Sequence, residues 1–278
     1  YYDWPNTWKH IRELQPETCL WSDAGPDARW VGNERGEAGV TCWATLNAAD
    51  FAPGQADMKR LNSGDRPGTD WIPAECDVSI RPGWFYHAKE DSKVKNAQQL
   101  LELYFKSVGR GASLLLNIPP DRRGQIAEAD ARSLREFRSR LDALFARDLA
   151  RDATATASNW RGKDDRFAAA NVLDGWRDTY WATDDAATNA ELVLEFKEPV
   201  TFNVVRLREH LPLGQRVEAF ALDRWQDGHW TEFAASTGIG NCRLLRVPPI
   251  TSAKVRLRIV KSPVAPAIAE LGLFWDNP

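Results

Sequence analysis

The hydrophobic positions of this chain keep two rhythms. Up to about residue 150, helical spacing alternates with short apolar runs. Residues 6–14 read as a short helix that Asn6 caps and Pro16 stops. Residues 18–21, 41–46 and 75–80 have the character of short strands. Asp91 then caps an amphipathic helix with Val94, Ala97, Leu101, Tyr104 and Val108 at helical spacing, and Gly109 and Gly111 end it. Residues 112–118 (ASLLLNI) are continuously apolar, as a strand buried on both faces requires. A further helix puts Leu134, Phe137, Leu141, Leu144 and Phe145 on one stripe, with arginines opposite. This alternation is βα architecture with parallel strands. Only about four strands can be counted, and a closed α/β barrel needs eight. The first half is therefore expected to be an incomplete barrel.

Beyond residue 150 the period drops to two. Residues 191–196, 204–208, 216–222, 230–233 and 254–260 alternate apolar and polar positions, separated by turn signals such as Gln226-Asp227-Gly228 and Pro248-Pro249. Short alternating strands at this spacing predict an antiparallel β-sandwich. The helical pattern stops across residues 148–157, which gives two domains, 1–150 and 151–278. No internal repeat or low-complexity segment is present.

Composition narrows the function. The length of 278 residues suits two domains, and 43% hydrophobic content provides a core. A net charge of −3 offers no electrostatic case for nucleic acid or an anionic membrane. No run approaches the roughly 18 apolar residues of a membrane span. Cys19, Cys42, Cys76 and Cys242 lie far apart without a CxxC pair, so buried free thiols are expected rather than zinc. The first residues, Tyr-Tyr-Asp-Trp-Pro, show neither an initiator Met nor a signal peptide, and a start in mid-structure is expected. Thirteen Trp against one Met fits a carbohydrate-active chain, or indoles buried in a β-sandwich.

The densest chemistry lies in residues 21–34, where Asp23, Asp27, Arg29, Glu34 and two Trp share one Gly/Pro-punctuated loop. Indole faces stack on sugar C–H groups while charged side chains bond the hydroxyls. The alternative is a turn whose Trp residues pack beneath it. In a parallel α/β barrel, functional groups sit where strands run into βα loops. That rule gathers the residues above with Trp84, Tyr86, His87 and Asn117. Carboxylates, an Arg and indoles at one mouth are the equipment of a glycoside hydrolase. Arg29 either holds a substrate hydroxyl or pairs with Asp27. His87 either binds substrate or caps the following helix.

Several segments resemble the α-L-fucosidases of glycoside hydrolase family 29, in particular the branch preferring 1,3/1,4 linkages. They are YDWPNTW (2–8), LQP (14–16), SDAGPDARWVGNERG (22–36), ECDVSIRPGWFYH (75–87) and SVGRGASLLLNIPPDRRG (107–124), which together cover most of residues 1–148. The resemblance implies hydrolysis of terminal α-L-fucose with retention, by an Asp nucleophile and a separate acid/base carboxyl. It assigns the acid/base to Glu34, with Glu37 as nearest competitor, and implies substrate contacts from Arg29 and from Trp84, whose indole face suits the deoxy C6 methyl group. The family's nucleophile lies in a Trp-Phe-Asp-Gly motif that is absent from this chain. The resemblance places that motif upstream of Tyr1, so the chain is expected to be a C-terminal portion, inactive without the N-terminal barrel half. It implies a fucosylated oligosaccharide partner, no catalytic cofactor, and a secreted or periplasmic setting.

Residues 171–183 (NVLDGWRDTYWAT) and 270–274 (ELGLF) resemble the galactose-binding-like sandwich of the discoidin, or F5/8 type C, class. In such modules this turn holds a structural Ca²⁺ through oxygens. The matching groups are Asp174, Asp178, Thr179 and Glu270, although Trp176 stands where Asp or Asn is common. The rival to an enzyme is a non-catalytic carbohydrate-binding or structural support module.

Overall fold

The computed structural model describes residues 2–55 and 57–277. Helix α1 (Trp4–Leu14) starts two residues earlier than the pattern predicts. Asp3 is the true cap, its carboxylate accepting from the Asn6 N–H at 3.2 Å. Strands β1 (Trp21–Ser22) and β2 (Ala28–Trp30) follow. The expected strand at 41–46 shrinks to β3 (Thr45–Leu46) and, after α2 (Met58–Ser63), pairs antiparallel with β4 (Asp70–Trp71) in a separate two-stranded sheet. Strand β5 (Ala74–Ser79), helix α3 (Ala97–Lys106), strand β6 (Ser113–Asn117) and helix α4 (Glu128–Phe145) complete the first half. Strands β1, β2, β5 and β6 form one four-stranded sheet in that order, every pair parallel.

Two expectations change here. Asp91 does not cap α3. Residues Ala88–Lys93 form a separate 3-10 turn, and α3 begins at a capping box in which Asn96 and Gln99 satisfy each other's backbone N–H. Strand β6 is not buried on both faces: Ser113 and Leu115 are exposed. Strand residues alternate between faces, so Ala74, Cys76 and Val78 pack in the core while Glu75 and Asp77 point the other way, level with Ser113 and Leu115. The apolar run of β6 thus faces α3 and α4 on one side only.

The second half is a set of antiparallel strands: β7 (Thr154–Ala157), β8 (Trp181–Ala182), β9 (Ala190–Glu209), β10 (Ala219–Gln226), β11 (His229–Ser236), β12 (Arg243–Lys261) and β13 (Ala267–Phe274). They pair in the order β11-β10-β12-β9-β13-β8, with β7 on β9. The runs 191–196 and 204–208 are two ends of the single long strand β9, which pairs with β12 along both its ends. Pro248 and Pro249 do not turn the chain. They sit in a register shift between Arg246 and Ile250, where an unpaired proline is tolerated inside a strand. Asp227-Gly228 does turn it, both residues having positive φ between β10 and β11.

The two halves share a core. Leu101, Phe105 and Leu144 pack with Val204, Cys242, Leu244 and Phe274, and the Leu244 N–H donates to the Gly109 carbonyl at 2.9 Å. Cys42, Cys76 and Cys242 are buried, but Cys19, ahead of β1, is exposed. No helix among the described residues is long and apolar enough to cross a membrane.

Candidate active site

A cavity of about 590 Å³ opens at the C-terminal ends of β1 and β2, lined by Trp4, Trp21, Asp23, Trp30, Glu34 and Asp77. The backbone that presents Glu34 is tightly specified. Gly32 has φ +81°, and a Cβ there would meet the Met58 carbonyl oxygen at 2.6 Å. Gly36 has φ +73°, and its Cβ would meet Val78 Cγ1 at 2.8 Å. Only glycine fits such positions without strain. Between them, Asn33 donates to the Glu37 carbonyl at 2.8 Å and accepts from the Arg35 N–H at 3.0 Å. The turn leaves Glu34 exposed at the cavity.

Trp84 reaches the same point from the loop after β5. Its indole N–H donates to Glu34 Oε2 at 3.1 Å. Asn117, at the end of β6, donates to the Trp84 carbonyl at 3.1 Å and to Ser79 Oγ at 3.0 Å, and Ser79 donates to the Gly83 carbonyl at 2.7 Å. Glu34, Trp84 and Asn117 are therefore brought together, as the strand-end rule expects. Glu37 points elsewhere, its carboxylate 2.8 Å from the Lys106 ammonium on α3.

A second carboxylate–indole pair was not among the expected site residues. Asp77 accepts from the Trp30 indole N–H at 2.7 Å. Burial is the main cause raising the Asp77 carboxyl above its ordinary range; the Trp30 bond opposes it and the Glu34 charge adds to it. Burial, then Asp77, raises Glu75 in the same direction. The alternation of ECDVS carried the signal, since it places Glu75 and Asp77 on one face of β5. Asp23 ties the loop between β3 and α2 to the mouth by accepting from the Gly54 N–H at 2.7 Å.

Arg29 is a correction. Its side chain is fully buried, donates to the carbonyls of Leu61 and Trp43 at 2.9 and 2.7 Å, and also bonds the Ile72 carbonyl. It lies on the opposite face of β2 from the cavity and, among the described residues, pairs with no carboxylate. Asp27 is held instead by Arg12 and by the Leu20 N–H. Buried carbonyls in α2, ahead of β3 and just past β4 need a donor, and Arg29 gives them three of its five N–H groups. His87 precedes the 3-10 turn but makes no side-chain cap bond.

The expected calcium donors do not fit the ion. Asp174 accepts from the Trp176 N–H at 2.7 Å and the Thr179 hydroxyl at 2.6 Å. Glu270 is neutralised by Arg206 and by Arg208, the latter at 2.9 Å. The Arg151 guanidinium lies against Gly175 within the same turn, adding positive charge. Among the described residues no group of three or more His, Cys, Asp or Glu is placed to hold a metal.

The site is thus a parallel βα unit with a carboxylate and indoles at its strand ends, joined to a β-sandwich. Comparison with known proteins names the parts. Residues 11–143 match the alpha-L-fucosidase family model and residues 152–271 the F5/8 type C domain model. The chain is 42% identical to alpha-L-fucosidase 1 of Arabidopsis thaliana over 98% of its own length and 54% of that protein's. It thus spans about half the length of the curated relatives it matches. The crystal structure of SpGH29 superposes with a TM-score of 0.92 at 37% identity, covering 100% of this chain and 60% of that one. The Ruminococcus gnavus GH29 fucosidase in complex with fucose superposes with a TM-score of 0.89 at 28% identity, covering 100% and 58%. The likeness to alpha-L-fucosidases thus covers residues 11–143, and residues 152–271 match the F5/8 type C domain model.

Proposed function

We propose that this chain supplies the acid/base side of an α-L-fucosidase site that hydrolyses terminal α-1,3/1,4-linked L-fucose with retention. The observation that carries this reading is the placement of Glu34 at the cavity, bonded to the Trp84 indole, while Glu37 is paired with Lys106. Trp84 holds Oε2, which leaves Oε1 for the glycosidic oxygen. In the first step Glu34 gives its proton to the departing oxygen as the nucleophile attacks the anomeric carbon. In the second it removes a proton from water, which releases fucose with its original configuration. The cavity's indoles offer faces to the sugar's apolar side. Two carboxyl groups suffice for this reaction, so no catalytic cofactor is invoked.

The nucleophile and the remaining strands of a (β/α)₈ barrel come, in this reading, from a segment outside the chain. Supporting it are the half-length match to the relatives, the absence of Trp-Phe-Asp-Gly, and the open face of a four-stranded parallel sheet. The partner is a fucosylated oligosaccharide or glycoconjugate.

Leaving-group dependence tests the role of Glu34 in the enzyme that contains this chain. Glu34→Ala should slow cleavage of a natural fucosylated trisaccharide by about 10²–10⁴-fold. An aryl fucoside, whose leaving group needs little protonation, should lose far less in its first step. Equal, small losses on both substrates would remove Glu34 from the role.

A second reading, glycan binding by the sandwich, rests on a cavity of about 440 Å³ lined by Arg161, Phe167, Tyr180 and Asp185. Calorimetry of the chain with galactosylated glycans decides it. Heat that Tyr180→Ala abolishes would support it, and none would dismiss it.

A further inference from the structure

A second cavity, of about 660 Å³, lies between the loops that follow β5 and β6. Tyr86, His87 and Lys89 line it from one side, and Asp121, Arg122 and Arg123 from the other. Its charge is one-sided: three permanent cations face one carboxylate in a chain whose net charge is −3. That carboxylate is already committed. Asp121 accepts from the Arg123 N–H at 2.8 Å and from its guanidinium at 3.0 and 2.7 Å, which fixes the loop. Lys89 and Arg122 form no ion pair among the described residues. At the floor the Tyr86 ring lies against the guanidinium of Arg81, 4.6 Å from the ring centroid. Arg81 is itself buried and paired with Asp130 and Asp91, each at 2.9 Å.

Two uncommitted cations beside a phenol and an imidazole fit an oxyanion carried on a polar ligand. A guanidinium bonds carboxylate and sulfate oxygens in pairs, and an ammonium adds a point charge. The location says which ligand. Tyr86 is two residues from Trp84, at most about 7 Å along an extended backbone, and Trp84 bonds the acid/base candidate Glu34. We propose that this cavity is a subsite for an acidic sugar, one bearing a carboxylate or a sulfate ester, on the leaving-group side of the glycan. That the ligand is a sugar, and lies on that side, rests on the fucosidase reading; the preference for an anionic group does not.

The test uses the chain carrying Glu34→Ala, so that catalysis plays no part in the readout. Calorimetric titrations compare N-acetylneuraminate, galactose 6-sulfate and galactose. At low salt at least one acidic sugar should bind about tenfold more tightly than galactose, the scale of two partly screened charge pairs. Which of the two binds better identifies the carboxylate or the sulfate as the group recognised. The preference should fall severalfold in Arg122→Ala and disappear in Lys89→Ala/Arg122→Ala. It should also fade at about 1 M salt, where the screening length is about 3 Å. Equal binding of all three sugars, or a preference that survives the double substitution, overturns the subsite. Either result leaves the leaving-group test of Glu34 to stand or fail by itself.

Discussion

Arg29 and Glu34 lie five residues apart in one motif and have opposite fates. Residue type marks both as substrate ligands, but the direction of each side chain depends on neighbours that sequence does not display. Arg29 turns to the buried face, where three carbonyls from distant segments await a donor. Replacing it by Met should leave those carbonyls unpaired and cost about 3 kcal/mol or more, read as a lower urea midpoint. A change under about 0.5 kcal/mol would contradict the structural role. Glu209 makes a second residue-scale prediction. It is buried, accepts from the N–H groups of Arg216, Val217 and Gly240 at 2.6–2.8 Å, and is pushed by burial up to about 7. Its folded value lies above the ordinary 4.5. Between those values the folded state keeps a proton that the unfolded chain has lost. Its stabilising contribution is complete below about pH 4.5 and is lost as pH rises through 7. Urea midpoints should accordingly drop from pH 5 to pH 8 in the native chain, with a flatter slope in Glu209→Gln. An unchanged slope in that variant would assign the pH dependence to other groups.

At the scale of elements, the parallel sheet and the β-sandwich were legible from periodicity, and the boundaries less so. The three-residue strand β2 is too short for any period to register, and its pairing with β5 rather than its sequence defines it. The pattern places the start of α3 too early because Asp91 has the right chemistry for a cap. Arg81 takes its carboxylate, and Asn96 with Gln99 forms the actual box. In the sandwich, prolines that read as turns lie within β12 because a bulge absorbs them. The site was legible where glycines and motif residues set the backbone, hence Glu34 and Trp84. Asp77 escaped, although its alternation with buried neighbours was visible. Asn96→Ala should cost about 1 kcal/mol of stability. Gly32→Ala forces a Cβ against a backbone oxygen at positive φ, and a loss of about 1–3 kcal/mol is expected. Thermal melting of the two variants checks both, and a neutral Gly32→Ala would show that the loop can relax.

Across the whole molecule, the sandwich braces the βα half through a shared apolar cluster. Phe274 is fully buried, and its ring meets Phe145 edge-on at 5.1 Å between centroids. Phe274→Ala should cost about 3–5 kcal/mol. It should also split a single unfolding transition into two in calorimetry, since the halves would lose their common core. One unchanged transition would mean the halves unfold together for another reason.

Azide trapping checks the role proposed for Glu34, acid/base in a retaining fucosidase. In the enzyme containing Glu34→Ala, an aryl fucoside still forms the glycosyl-enzyme, but water lacks its base. Azide needs none, so turnover should recover and yield fucosyl azide of retained, α configuration. Glu37→Ala should show no such rescue. An inverted azide, or no azide product from the Glu34 variant, would contradict the assignment.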